Sequence, residues 1–293
     1  MTRVLEIRLP RDFSFRHTVA SHGWYDLPPF EHKERSPELT YVFAPTKRDR
    51  AITATIRKER GTLKIALSSK PRDAERIARG VAHILRLDEK MSEFYATLEN
   101  DDRLAWIVGA NAGRLLRSPS VWEDLVKTIC TTNCSWALTK KMVGNLVEKL
   151  GEPAADGRKS FPTPQAMAEQ DADFFREEIR AGYRSPYFAE LAATVASGEL
   201  DPESWLHSEL PTADLKKELK KVKGVGDYAA ENLLKLIGRY DGLALDSWLR
   251  ARFYKTHNDG RKCADKKIAK FYSKFGDWQG LAIWCDMTER WFK

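Results

Sequence analysis

The stretch Lys223-Gly224-Val225-Gly226 constrains this chain more than any other. Before it, Leu215, Leu219 and Val222 recur at helical spacing; after it, Ala229, Leu233 and Leu236 do the same. Two amphipathic helices joined by so short a turn must fold back on each other with their apolar stripes inward. Glycine permits positive φ and leaves no Cβ in the way of an approaching group. Val225 is expected to plug the space between the helices. The N–H groups that open the second helix lack intrahelical acceptors and lie at its positive end, which suits an anion such as phosphate. We read residues 215–238 as this hairpin. A lone Gly-x-Gly turn would be weak evidence, since it also serves as a plain connection between core helices.

Its neighbours add weight. DLKKELKKVKG places five lysines just before the turn, and LALDSWLR delivers Asp246 a short distance after it, followed by Arg250, Arg252 and Lys255. The net charge of +7 fits a polyanionic partner through phosphate neutralisation and counterion release. A solvated helix face would account for the lysine run equally well. Asp246 suits the N-cap of the SWLRARF helix, and a carboxylate there is equally suited to chemistry.

The 293 residues, 42% of them hydrophobic, are enough for two or three modest folded domains. No apolar run approaches membrane-spanning length. MTRVLEIRLPRDF lacks the apolar core of a signal peptide, so a soluble, intracellular protein, cytoplasmic or nucleoid-associated and with no membrane association, is expected. Cys130, Cys134, Cys263 and Cys285 have no CxxC spacing and are expected to be ordinary thiols, with neither a disulfide framework nor a metal site.

Two textures divide the chain. TYVFA, AITATIRK and TLKIALSS read as strands, with a turn at ERG between the last two. Beyond Pro71 helical periods dominate. Ser118 with Pro119 is the expected start of a helix through Leu125, Val126, Ile129 and Cys130, and WALTKKMVGNLVEKLG is a second, stopped at Gly151. Further helices are predicted over 164–180, 186–198, 211–221, 227–238, 246–256, 264–274 and 277–291. The fold class is α+β, mainly α: a small antiparallel-sheet domain over 1–100, then a helical body over 101–293.

The hairpin with its trailing aspartate resembles the helix-hairpin-helix DNA glycosylases. RLLRSPSVWEDLVKTICTTNCSWALTKKMVGNLVEKLG, FPTPQAMA, IRAGYRSPYF and FGDWQGLAIWCD follow one another as in the 8-oxoguanine glycosylase-like branch, which is akin to the alkylpurine (3-methyladenine) glycosylases. With the strand-rich start, the resemblance covers nearly the whole chain. It implies a helical body of two interleaved subdomains around a cleft for an extrahelical base. The partner would be double-stranded DNA with a damaged base, bound by a monomer.

Carried over residue by residue, the resemblance makes Asp246 the catalytic carboxylate and Lys223, Gly224, Val225 and Gly226 the DNA-gripping turn. Asn133 falls where the family fills the gap left by a flipped base, Tyr183 where an aromatic wedge kinks the duplex, and Arg184 where a cation meets the estranged base. A turn or cap for Asn133 and a loop aromatic for Tyr183 remain open.

Two departures bear on the chemistry. Tyr228 stands where bifunctional members carry a lysine, and a phenol cannot form their Schiff base. This implies a monofunctional enzyme that uses water and leaves an abasic site, with no lyase activity. Ile283 and Met287 stand where 8-oxoguanine enzymes present a glutamine and a phenylalanine. The pocket set that remains is Trp136, Tyr228, Ile283, Trp284 and Met287, with Trp24 and Tyr25 as further aromatics. It is soft and electron-rich, as a cationic alkylated purine requires. Tryptophan and methionine at helical spacing also serve as plain core. Oxidised or deaminated purines, or a catalytically silent damage reader, are the alternatives. Only Cys263 and Cys285 follow Asp246, so no iron–sulfur cluster is expected. No cofactor is implied beyond a monovalent cation at the hairpin carbonyls.

Overall fold

The computed structural model describes residues 4–33 and 36–292. Four strands, β1 (Val4–Arg8), β2 (Glu38–Phe43), β3 (Ile52–Glu59) and β4 (Thr62–Leu67), form one antiparallel sheet in the order β1-β4-β3-β2. The expected turn joins β3 to β4: Glu59 pairs with Thr62 across Arg60 and Gly61, with Arg60 at φ 49°. Leu63, Ile65 and Leu67 alternate into the core along β4, as a half-buried strand requires. β1 was not singled out by composition. Its VLEIR alternation is partly charged because it lies at the sheet edge, where one face stays wet.

The apolar residues gather into two main cores. The first joins the sheet, through Leu39, Ile56 and Ile65, to the helices Val121–Thr131 and Trp136–Leu150 and to Leu215, Leu219 and Leu233 of the hairpin. The second joins Met91, Phe94, Leu98 and Ile107 to Leu249, Phe253, Ile268 and Ile283 near the C-terminus. The chain thus enters the second unit, leaves it for the first, and returns. Residues 91–98 pack with the C-terminal helices rather than with the sheet, so a division at residue 100 cuts through the second core.

Helix Val121–Thr131 runs through the first core with every residue from Val121 to Cys130 buried, polar ones included. Each charge on it finds a partner. Lys127 Nζ lies 2.7 Å from Glu123 Oε1 and 4.8 Å from the Phe30 ring centroid. Tyr41 donates to Glu123, and Trp24 Nε1 donates to Asp124 at 2.6 Å. Ser120, not Ser118, caps this helix, accepting from Glu123 N–H at 3.3 Å. Pro119 sits outside the helix, and the Ser118 N–H turns instead to Asp124 at 2.9 Å. The predicted helix over 164–180 is two, Pro164–Ala168 and Ala172–Glu177, because Asp171 caps a fresh start at Phe174 N–H. Gly151 does stop its helix, in extended rather than left-handed backbone; a Cβ there would lie 2.1 Å from Ser160 O. No described helix is long and apolar enough to cross a membrane.

Candidate active site

The hairpin comprises helices Thr212–Leu219 and Asp227–Leu236. Val225 is buried between them. The two glycines do different work. Gly224 has φ 89°, and a Cβ on it would come within 3.0 Å of the Tyr187 ring. Gly226 is extended, at φ −86° and ψ −173°, with nothing within 4 Å of a Cβ position. It is exposed, and no side chain caps the helix it opens, so its first-turn N–H groups are left for an external anion. The five lysines before the turn all pair locally, Lys223 with Glu190 at 2.6 Å and Lys220 with Asp227 at 3.1 Å among them. Such exposed pairs are weak and yield readily to a phosphate.

The turn belongs to a continuous face. Gly224 packs on Tyr187, whose ring meets Tyr183 edge-on with centroids 6.1 Å apart. The Tyr183 hydroxyl lies 3.4 Å from Asn133 Nδ2 and 3.3 Å from Thr132 Oγ1. Tyr183 is 51% exposed, and Asn133 is exposed with φ 46° at the loop tip after the buried helix. Asparagine is among the few residues that adopt this left-handed conformation readily. The structure therefore brings together the two residues expected to insert into a duplex.

Arg184 requires a correction. It is buried, and its guanidinium donates to Ile129 O at 3.1 Å and to Thr132 O. Both carbonyls lie where the buried helix ends, and Ile129 O also accepts the Thr132 N–H at 3.2 Å, so Arg184 fixes the Asn133 loop instead of facing a base. Ile283 and Met287 require another. Four residues apart on helix Gln279–Thr288, they share its inward face and are buried in the second core. Trp284, one step round the helix, is half-buried; its Nε1 donates to Ser21 O at 2.9 Å. Trp136 turns to the N-terminal domain, donating to Asp26 at 2.9 Å with its ring against Gly23. Trp24 is core.

Asp246 is half-buried and caps helix Ser247–His257, its Oδ1 accepting from Leu249 N–H at 2.6 Å. The cap engages Oδ1, so Oδ2 is available to chemistry. Tyr228, in the first turn of the second hairpin helix, is half-buried beside it. Burial, then the Asp246 charge, pushes the phenol up to about 12, so it stays protonated at neutral pH. Three tryptophans, Trp284, Trp248 and Trp291, cluster with centroids 5.6–6.2 Å apart, Trp248 lying in the first turn of the helix that Asp246 caps. Trp248 and Trp291 escaped the reading of the sequence, although Trp248 is only two residues from Asp246. So did Lys235. It is buried, donates to Leu243 O at 3.0 Å, and lies 5.8 Å from the Trp284 ring centroid. Burial brings its ammonium down to about 8, against the opposing pull of Glu231 and Asp246.

No protein-family model matches the chain. Over 115 residues it is 24% identical to YfjP of Bacillus subtilis (strain 168), provisionally named a DNA-3-methyladenine glycosylase; the match spans 39% of each protein. A 3-methyladenine DNA-glycosylase from Archaeoglobus fulgidus superposes with a TM-score of 0.77 at 20% identity, over 99% of both chains. An 8-oxoguanine glycosylase/lyase from Clostridium acetobutylicum superposes with a TM-score of 0.76 at 20% identity, over 98% of this chain and 97% of that one. The same protein is known on double-stranded DNA with cytosine opposite 8-oxoguanine. The chain has the fold of the helix-hairpin-helix DNA glycosylases.

Proposed function

We propose that this protein is a monofunctional DNA glycosylase that removes a damaged purine from double-stranded DNA and leaves an abasic site. The observation that carries the reading is Asp246, held by its cap beside Tyr228, a phenol at the position where the resemblance implies the lysine of bifunctional glycosylases. The hairpin N–H groups take a backbone phosphate, while Asn133 and Tyr183 enter the duplex and offset the unstacking of the flipped nucleotide. The Asp246 carboxylate then stabilises positive charge on the sugar as the glycosidic bond breaks, and orients or deprotonates the attacking water. The Val222 carbonyl, which accepts the Val225 N–H at 3.0 Å, keeps a lone pair that a monovalent cation at the turn would use.

An alkylated purine is the favoured lesion. Such a base is cationic and its glycosidic bond is already weakened. The ring faces of Trp248, Trp284 and Trp291 would attract it where a neutral oxidised purine gains only stacking.

The test is base release from single-lesion duplexes carrying alkylated, oxidised or deaminated purines, each with and without hot alkali. Strand breaks seen only after alkali, and lost in Asp246→Asn, are expected, with alkylated purines cleaved fastest. Release of oxidised purines alone would reassign the substrate. Tight binding with no release on any duplex would make the protein a damage reader.

A further inference from the structure

Asp246 is delivered by a loop that is tied at both ends. At its start, Gly280 N–H donates to Tyr240 O at 2.6 Å and Gln279 Nε2 to Asp241 O at 2.6 Å. A Cβ on Gly280 would lie 2.0 Å from Gly242 O, so loop and C-terminal helix are in direct backbone contact. At its end, a single peptide unit is held from both sides. Lys235 Nζ donates to Leu243 O at 3.0 Å, and Ala244 N–H donates to Glu231 Oε2 at 2.5 Å. Ala244 has φ 51°, a left-handed conformation that a residue with a Cβ adopts only under constraint.

We infer that Glu231 and Lys235 are positioning residues that aim the Asp246 carboxylate by gripping the Leu243–Ala244 peptide. The inference rests on the glycosylase reading for its catalytic consequence, but not for its geometry. The two side chains are four residues apart on the second hairpin helix and so project from one face. Rotation of the peptide plane they hold would swing the chain two residues before Asp246. Their own placement is costly. Lys235 is buried with no carboxylate in ion-pair contact among the described residues, where an apolar side chain would pack more cheaply. Glu231 is anchored in turn, its Oε1 accepting from Lys216 Nζ of the first hairpin helix at 2.5 Å. The hairpin that would hold phosphate is thereby connected, through Lys216, Glu231 and one peptide, to the carboxylate that would act on the sugar.

The experiment compares Glu231→Leu, Glu231→Gln and Lys235→Met in the full chain. It measures single-turnover base release, affinity for a duplex with an abasic-site analogue, and amide hydrogen exchange at Ala244. Base release is expected to fall on the order of tenfold or more in Glu231→Leu and Lys235→Met, with affinity kept within about twofold. Glu231→Gln, whose amide oxygen still accepts the Ala244 N–H though its NH2 gives up the Lys216 contact, should lose far less than Glu231→Leu, and Ala244 exchange should quicken mainly in the other two. Unchanged rates, or rate losses matched by equal losses of affinity, would overturn the inference. If Glu231→Leu fails to fold, Lys235→Met and Glu231→Gln still decide it. Should the wild type release no base from any duplex, the glycosylase reading falls. Exchange then decides alone: unchanged protection at Ala244 overturns the grip, and faster exchange upholds it.

Discussion

At the scale of single residues, the proposed chemistry turns on Asp246 and Tyr228. Asn is as good an N-cap as Asp, so Asp246→Asn keeps the bond to Leu249 N–H while removing the charge. Base release should fall by about 10²–10⁴-fold in single-turnover assays, with thermal stability nearly unchanged. A comparable loss of stability would mean that the residue serves the fold alone. Tyr228→Lys places an amine where the resemblance to bifunctional glycosylases implies one. Borohydride should then trap a covalent protein–DNA complex that the wild type does not give. Trapping by the wild type would point to another amine. Both candidates can be named from the sequence, because each lies at a fixed distance from the glycine turn. Lys235, Trp248 and Trp291 cannot: nothing in their local spacing separates a buried lysine from a solvated one, or a clustered tryptophan from a lone one.

At the scale of the element, the hairpin separates folding from binding. Gly224→Ala forces a Cβ into left-handed backbone against Tyr187 and should cost about 1–2 kcal/mol in urea unfolding. Gly226→Ala meets extended backbone and open space, so stability should change by less than about 0.5 kcal/mol. Its methyl group would nevertheless stand where phosphate must approach, and affinity for duplex DNA at fixed salt should drop. Equal behaviour of the two variants would sink this division of labour. The hairpin was readable because two apolar stripes flank it. The buried helix Val121–Thr131 was readable only as amphipathic. That Glu123, Asp124 and Lys127 on its polar side are buried too follows from Tyr41, Trp24 and Phe30, which arrive from far along the chain.

At the scale of the molecule, stability should depend on pH through groups that are buried (His22, Asp124) or half-buried (His83). Burial lowers His22 to about 4 and His83 to about 3. Each therefore contributes stability that is present above pH 6.5 and lost as pH falls through its folded value. Asp124, raised by burial to about 6, acts the other way: its contribution is present below pH 3.8 and lost as pH rises through 6. The two histidine shifts outweigh the single carboxyl shift. Urea midpoints should fall between pH 7 and pH 4, less steeply in His22→Gln. A flat profile would contradict the desolvation of these rings.

The sequence by itself determined the α+β class, the three strands after residue 38, the glycine turn with its plug and the aspartate that follows. Each is a local pattern of apolar period, glycine or cap, whose physics acts within a few residues. The tertiary structure decided which face of each helix points inward. It sent Ile283 and Met287 to the core, turned Arg184 onto the carbonyls of a neighbouring helix, and brought residues 91–98 to the C-terminal helices. It also closed Glu231 and Lys235 around one peptide before Asp246. Those outcomes depend on contacts between segments far apart in the chain, and local patterning cannot encode which distant surface will cover a given side chain.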